Sequence, residues 1–288
     1  DKVIEFETGN VLIGSVSRLY MSNKCLLIAD HKSVDKQIHI FNKNDFSYLT
    51  SIGNFGEGPE EITVMGCLAI DEAHHQLYVS DHAKQKIFSY DMDSVMVDSL
   101  YKPQVKTAMN ETLFPSEYQY INDTLSIAVL IKPTSTSTFN QFLGRWNMNT
   151  GEMIPMKYTH PDIQKKRITF AASEKAGIYV ECYTRHDLMT ICSLDGELLY
   201  NIYGPDWDGG NGNKLQSFGT VMIGNDKIFV SYCGEDYARD SFPTKILVFD
   251  LEGNYLKTLE TGYKISDCCY DSFNNRIILS LNDVVQFA

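Results

Sequence analysis

The chain has 288 residues, 43% of them hydrophobic, and a formal net charge of −12. This acidic balance disfavours binding to nucleic acid, whose phosphates require a basic surface, and adsorption to an anionic membrane. Because no apolar run approaches the roughly 18 residues of a membrane-spanning helix, we also expect no transmembrane segment. The 17 tyrosines and 15 phenylalanines favour β structure, and the apolar content is sufficient for a sizeable core.

A short apolar pattern, exemplified by Leu26-Leu27-Ile28-Ala29-Asp30, recurs six times along the chain. The copies begin at Leu26, Leu77, Leu125, Ile178, Ile228 and Ile277, with spacings of 51, 48, 53, 50 and 49 residues. A period of about 50 residues with several strands in each unit is typical of a β-propeller, in which each repeat forms one blade. We therefore predict an all-β, six-bladed propeller that occupies residues 1–288 as a single domain.

Each repeat contains three further predicted strands, and we name the four strands a to d in chain order, with the recurring pattern as strand b. Strand c usually has an apolar residue followed three positions later by an aromatic one, as in Ile38 and Phe41. A polar turn such as residues 250–253 usually follows strand c and supplies the Gly, Asn or Asp that tight hairpins require. Each blade is therefore predicted to be a four-stranded antiparallel sheet.

The two ends of the chain favour closure of the ring. The sixth repeat stops at residues 284–288, which match strand c, so its strand d is missing. An alternating segment at residues 3–6 precedes the first strand a, at residues 16–21. We predict that this N-terminal strand completes the last blade, because closure removes an exposed sheet edge.

The seven cysteines are predicted to act as small apolar residues. No C-x-x-C pair is present, which argues against a zinc ribbon or a thioredoxin-like redox motif. Most of the cysteines lie inside predicted strands, where a free thiol packs in the core.

A glycine-rich segment with Gly53, Gly56 and Gly58 follows the first repeat. Such a loop can cradle phosphate, but this one lacks the Gly-Lys-Ser/Thr ending and does not open a helix. We interpret it as the connection from strand d of the first blade to strand a of the second.

Residues 26–70 resemble six-bladed propellers of the NHL and TolB-like type, and the blade pattern extends this resemblance along the chain. Residues 52–61 resemble the signature G-x-x-G-x-G-P-G-E of secreted or lipid-anchored propellers from anaerobic gut bacteria, with Glu60 at a glycine-type position. The resemblance implies an extracytoplasmic location, whether periplasmic, cell-surface or secreted, with any lipid anchor outside this sequence. It implies no agreed activity, and fold analogy cannot supply one.

Propellers bind ligands on the face formed by their b–c and d–a loops, and two b–c connections carry insertions here, at residues 131–140 and 233–243. The d–a loop at residues 205–213 adds Trp207, one of two tryptophans. An exposed tryptophan beside carboxylates suits sugar stacking or a protein contact, although Trp207 folded back on the blade edge is an equal alternative. The candidate ligand-binding residues are Glu57, Asp206, Trp207, Asp208, Asp236, Tyr237 and Arg239.

Histidines suggest a metal site. His31, His82 and His186 lie at comparable exits of strand b, and three imidazoles on one face are a possible zinc site. The alternative is that the aspartates before His31 and His82 simply cap the turns. Calcium is a further option for the Asp- and Asn-rich loop at 205–213, but Ser217 at the twelfth position from Asp206 excludes an EF-hand.

The sequence favours a binding module without catalytic activity, whose partner is a protein, a peptide or a glycan. The alternative is a metal-dependent hydrolase or lyase that uses a site at the central channel, with a divalent ion such as calcium or zinc. Carboxylates such as Glu117 and Asp267, together with His31 and His82, are candidates for that site.

Overall fold

The computed structural model describes residues 2–212, 215–236, 239 and 241–288. Strands of these residues form six antiparallel sheets, each built from strands that are consecutive in the chain. Five of the sheets have four strands and the sixth has two. The chain divides into two compact units, one of Glu7–Pro155 and one of Asp1–Phe6 with Met156–Ala288.

The unit Glu7–Pro155 contains three four-stranded sheets, which are the first three repeats. The first has β1 (Arg18–Met21), β2 (Cys25–Ala29), β3 (Lys36–Asn42) and β4 (Tyr48–Asn54). The second has β5 (Met65–Asp71), β6 (Gln76–Asp81), β7 (Lys86–Asp91) and β8 (Gln104–Ala108). The third has β9 (Phe114–Asn122), β10 (Leu125–Pro133), β11 (Phe139–Trp146) and β12 (Met153–Pro155).

The other unit contains the fourth, fifth and sixth repeats. The fourth sheet has β13 (Ile168–Ser173), β14 (Ile178–Tyr183), β15 (Leu188–Ser193) and β16 (Leu198–Tyr203). The fifth has β17 (Leu215–Gly224), β18 (Lys227–Asp236), β19 (Lys245–Asp250) and β20 (Tyr255–Glu260). The sixth has β21 (Ile265–Asp271) and β22 (Arg276–Leu281).

Every copy of the recurring pattern forms the second strand of its sheet, as predicted. These strands are buried along most of their length, and within each unit the side chains of consecutive sheets pack together. One core cluster joins Leu27 of the first sheet to Val79 of the second. Another joins Val180 of the fourth sheet to Val230 of the fifth. Each repeat therefore contributes one layer and depends on its neighbours to cover it.

The c–d turns follow the predicted glycine chemistry. Gly253 has a φ of +84°, in the left-handed region that favours glycine. A Cβ at this position would lie 2.4 Å from Cδ1 of Ile202, so the turn is also too crowded for a side chain.

A short helix, α1 (Met92–Val97), replaces a simple c–d turn in the second repeat, which the sequence analysis did not predict. The carboxylate of Asp91 caps it by accepting a hydrogen bond from the backbone N–H of Ser94 at 2.8 Å. Six residues are too few to show helical periodicity, so only the cap marks the element in the sequence.

The two chain termini extend the sixth sheet at the β22 edge, although not with a full N-terminal strand. Phe287 pairs with Ser280 of β22 on one side and with Phe6 on the other. The N–H of Phe6 donates to the carbonyl of Phe287 at 3.1 Å, and the two rings stack with centroids 5.6 Å apart. The prediction of an N-terminal closing strand is therefore correct in position and too long in extent.

The first of the two predicted loop insertions lies in an extended hairpin. Pro133 pairs with Phe139, so residues 131–140 lengthen β10 and β11 instead of forming a long irregular loop. In the second insertion, residues 233–236 extend β18, and Asp236 pairs with Leu215 of β17. Residues 241–244 are irregular, and residues 237, 238 and 240 lie outside the described residues.

All seven cysteines are free and buried. Within the part of the chain that the structure describes, no helix has the length and apolar character that a membrane crossing requires.

We expect Phe287→Ala to lower the free energy of unfolding by about 3–5 kcal/mol, because Phe287 is 1% exposed and holds the chain end in the sixth sheet. Urea denaturation measures the effect. Phe273→Ala is the matched control in the same unit, since Phe273 is 81% exposed, and we expect a change within about 0.5 kcal/mol. Equal effects of the two substitutions would contradict the role assigned to Phe287.

Candidate functional site

Three segments of the unit Met156–Ala288 meet around Trp207. They are the stretch before β13, the b–c turn between β14 and β15, and the d–a connection between β16 and β17. They bring together the rings of His160, His186, Tyr203 and Trp207, which we call the His–Trp cluster. Two of its members were predicted to have different roles, His186 as a metal ligand and Trp207 as a ligand-binding residue.

Asp187 fixes the connection that carries Trp207. Its carboxylate is 2% exposed and accepts a hydrogen bond from the backbone N–H of Asp206 at 3.0 Å. Its carbonyl accepts from the N–H of Gly204 at 2.8 Å. A Cβ at Gly204 would lie 2.1 Å from Oδ2 of Asp187, so only glycine permits this close approach.

Burial raises the pKa of Asp187, while hydrogen bonds from the Asp206 N–H and the Tyr232 hydroxyl act in the opposite direction. The Tyr232 hydroxyl donates to Oδ1 of Asp187 at 3.3 Å. Because both carboxylate oxygens accept hydrogen bonds from the protein, Asp187 serves as a structural anchor of the site.

Trp207 packs against the other three rings and keeps part of its surface exposed. Its ring centroid lies 5.0 Å from Tyr203, 5.3 Å from His160 and 6.0 Å from His186. Tyr203 is 48% exposed, so the two aromatic side chains present ring surface to solvent at the same place. Trp207 therefore folds back on the protein and contributes to an aromatic surface at the same time.

Hydrogen bonds fix the tautomer of His160. The backbone N–H of Asp162 donates to Nδ1 at 3.2 Å, so the proton of the neutral ring is on Nε2. Nε2 then donates to the Tyr203 hydroxyl oxygen at 2.9 Å. Burial lowers the pKa of His160, with Asp162 opposing the shift, which favours the neutral ring at pH 7.

Two buried polar atoms at the cluster have no hydrogen-bond partner among the described residues, namely Nδ1 of His186 and Oδ1 of Asp208. His186 is 6% exposed, and burial lowers its pKa, with Asp208 raising it and His160 lowering it further. Buried polar groups in proteins are nearly always satisfied, so these two atoms mark positions at which a ligand can form hydrogen bonds.

Four other residues were predicted to bind a ligand, namely Glu57, Asp236, Tyr237 and Arg239. Asp236 ends β18 and is partly buried, and Arg239 is exposed. Tyr237 lies outside the described residues. Glu57 is exposed and belongs to the other compact unit.

The glycine-rich segment around Glu57 connects β4 to β5, as predicted, and hydrogen bonds from Lys84 hold it in place. The ammonium group donates to the carbonyl of Glu61 and to Oγ1 of Thr63, both at 2.8 Å. A Cβ at Gly56 would lie 1.4 Å from Oε2 of Glu61. The close packing indicates a structural connection.

His31 and His82 both lie against Gly66 of β5. Nε2 of His31 is 3.1 Å from the Gly66 carbonyl oxygen, and Nε2 of His82 is 2.3 Å from where a Cβ of Gly66 would be. The carboxylates of Asp30 and Asp81, just before these histidines, accept backbone N–H groups of their own turns, as the capping alternative predicts.

Among the described residues, one group brings three metal-ligand side chains within 4.8 Å of one another, and it consists of Asp71, His74 and Asp123. The three predicted histidines are not its members, and zinc binding by them stays a prediction.

Sequence reasoning missed His160, Tyr203 and the anchoring role of Asp187. The sequence signal for Asp187 was its place beside His186, in the b–c turn between β14 and β15. No comparable signal marked His160, whose contacts with Trp207 and Tyr203 span more than 40 residues of sequence.

The DUF5128 family, described as a 6-bladed beta-propeller, matches residues 2–143 of the chain. No curated protein matches the chain in sequence.

Several solved structures share the fold. A member of the DUF4221 family from Bacteroides vulgatus has a TM-score of 0.62 at 10% identity, with 95% of this chain and 92% of that chain covered. A candidate exported protein from Bacteroides fragilis has a TM-score of 0.60 at 14% identity, with 96% and 82% covered. The Cps50 (Swd1) β-propeller domain from Myceliophteria thermophila has a TM-score of 0.58 at 10% identity, with 95% of each chain covered. At these identities the likeness shows the fold alone, and the chain is an all-β propeller with small four-stranded antiparallel blades.

Proposed function

We propose that the chain is an extracytoplasmic binding module that takes a saccharide at the His–Trp cluster, within a single six-bladed domain of the NHL and TolB-like type. The location is supported by the glycine-rich signature at residues 52–61 and by the likeness to a candidate exported protein. A lipid anchor outside this sequence is compatible with the same location.

The observation that carries the proposal is the combination of exposed aromatic surface with unpartnered buried polar atoms. Tyr203 and Trp207 offer ring faces on which the apolar C–H face of a sugar packs. Nδ1 of His186 and Oδ1 of Asp208 lie at the same cluster, and sugar hydroxyls can both donate and accept hydrogen bonds there. Small-molecule sites typically have a small number of polar groups within aromatic surroundings. Since both atoms are buried in this structure, binding requires a local movement of the connection that carries Asp208.

The charges at the site favour a neutral polyhydroxylated ligand. Asp206 is exposed and Asp208 is half-buried, and both carboxylates are suited to accept hydrogen bonds from hydroxyl groups. The lowered pKa values of His160 and His186 keep both rings neutral at pH 7, so the cluster adds no positive charge for an anionic ligand.

The catalytic alternative has weaker support. Glu117 forms a bidentate ion pair with Arg18, and Asp267 accepts a hydrogen bond from the Thr220 hydroxyl at 2.9 Å. Neither carboxylate belongs to a group of three metal-ligand side chains among the described residues.

We expect Trp207→Ala and Tyr203→Ala each to weaken saccharide binding by at least about tenfold, because each removes a ring of the aromatic surface. A glycan array identifies the ligand, and isothermal titration calorimetry measures the affinities. Tyr200→Ala is the matched control: Tyr200 is on the same strand with 42% exposure, and its odd spacing from Tyr203 places it on the opposite face of β16. Undiminished affinity in both cluster variants, or binding of peptides and no saccharide, would contradict the proposal.

Ligand binding can also be followed by tryptophan fluorescence without altering the site. Trp146 is 2% exposed and lies in the other compact unit, so Trp146→Phe leaves Trp207 as the remaining tryptophan. We expect the emission of this variant to change on titration with the ligand, and the emission of Trp207→Phe to stay constant.

Four buried or half-buried histidines, two of them in the His–Trp cluster, make the stability of the folded chain dependent on pH. The pKa values of His39, His82, His160 and His186 are all lowered, mainly by burial. In the unfolded chain these rings take up protons near pH 6.5, whereas the folded chain resists protonation until lower pH. The free energy of unfolding is therefore expected to fall as the pH decreases below about 6.5.

Melting temperatures at pH 8, 7, 6 and 5 measure this dependence. The double variant His160→Asn/His186→Asn is expected to lose less stability between pH 7 and 5 than the wild type, because two of the shifted groups are gone. The same pH dependence in both proteins would show that the cluster histidines are protonated as easily in the folded as in the unfolded chain.

A further inference from the structure

The a–b turns of the second and sixth repeats are built in the same way. Asp71 ends β5 and Asp271 ends β21, and each carboxylate accepts the backbone N–H of the residue three positions later, His74 at 3.1 Å and Asn274 at 3.2 Å. The residue after that has a positive φ in both turns, +53° at position 75 and +50° at position 275. The turn itself therefore explains the aspartate, and only the differences between the two turns call for another explanation.

The first difference is the charge beside the buried carboxylate. In the sixth repeat, Nε of Arg276 lies 3.3 Å from Oδ2 of Asp271 and supplies a positive charge. In the second repeat the neutral Gln76 stands at the corresponding position. The Asp71 side chain is fully buried, and its Oδ2 accepts a hydrogen bond from the neutral Tyr78 hydroxyl at 2.7 Å, with no arginine at the position that Arg276 occupies in the sixth repeat.

The second difference is the residue that faces the carboxylate. Asn274 donates its side-chain N–H to Oδ2 of Asp271 at 2.7 Å. In the second repeat the imidazole of His74 takes this place, with Nδ1 2.8 Å from Oδ2 of Asp71. An imidazole nitrogen can bind a metal ion, which an asparagine amide nitrogen does not do under ordinary conditions.

The third difference is a second carboxylate from the neighbouring sheet of the same unit. Asp123 lies in the turn between β9 and β10, and its Oδ1 is 3.9 Å from Nδ1 of His74. The Tyr120 hydroxyl donates to the same oxygen at 2.6 Å and holds the side chain in place. Two carboxylates and one imidazole thus converge with their ligand atoms within 4.8 Å of one another.

A cavity of about 460 Å³ lies beside this group, and His74, Tyr78 and Asp123 form part of its wall together with Gln76, Lys106 and Asn149. His74 and Asp123 have side chains 54% and 55% exposed, so the group is open on one side. A metal ion held by three protein ligands would have its remaining coordination positions on this open side, as in zinc sites that bind a further ligand.

We propose that Asp71, His74 and Asp123 bind a divalent transition-metal ion, with zinc as the test ion. The mixture of imidazole nitrogen and carboxylate oxygen favours zinc over calcium or magnesium, which prefer oxygen ligands alone. The ion supplies the positive charge that Arg276 supplies in the sixth repeat, and it displaces the hydrogen bond between His74 and Asp71. This site is in Glu7–Pro155, so it stands independently of the saccharide site in the other unit.

Isothermal titration calorimetry of the full chain with zinc chloride, after dialysis against a chelator, tests the site. We expect one zinc ion per chain and a higher melting temperature with zinc. His74→Asn should reduce the affinity at least tenfold, and it should still fold because Asn274 occupies the same turn. His75→Asn is the matched control, since Asn275 fits the same positive φ and His75 is not part of the group.

Asp123→Asn provides an independent variant, because it removes a ligand without changing the a–b turn of the second repeat. Zinc affinity that is reduced in His74→Asn and Asp123→Asn and unchanged in His75→Asn supports the site. Absence of stoichiometric zinc binding, equal affinity in all variants, or calcium binding in preference to zinc would overturn it.

Discussion

The burial of the second strand of each repeat, through packing of consecutive sheets within each unit, is the constraint on which the rest of the structure depends. Leu27 and Val79 share one core and Val180 and Val230 another, so apolar side chains of one sheet are covered by those of the next. Each fully buried aliphatic side chain contributes about 1.5–3 kcal/mol. A single four-stranded sheet cannot cover both of its own faces, and the repeats therefore stabilise one another.

Buried aspartates at the passage from the second to the third strand of a repeat position the connections between sheets. Asp30 accepts the N–H of Gly14, Asp81 accepts those of Thr63 and Val64, and Asp187 accepts that of Asp206. Because each carboxylate is buried and each backbone N–H points at it, a loop that would otherwise be loosely held has one preferred position. The His–Trp cluster uses this scaffold, since the same aspartate that ends a turn also fixes the segment with the tryptophan.

Departures from the repeat indicate where function lies, because the repeated residues already account for the fold. The a–b turn needs an aspartate and a positive φ, and both the second and the sixth repeats have them. The turn does not require an imidazole at position 74. Nor does it require that position 76 lack the arginine that the sixth repeat has at position 276. The proposed metal site and the proposed saccharide site both include side chains, such as His74 and Trp207, that the common scaffold does not require.

The sequence by itself determined the six repeats, the strand order within each sheet and the turns, because strand alternation and turn glycines act over a few residues. It missed α1, which is too short for a periodic pattern, and it took the strand extensions beyond Ile131 for a loop. Only the tertiary structure decided which side chains meet. His160 with Trp207, and Asp71 with Asp123, are brought together by packing between distant segments, and no local pattern of residues encodes a contact of that kind.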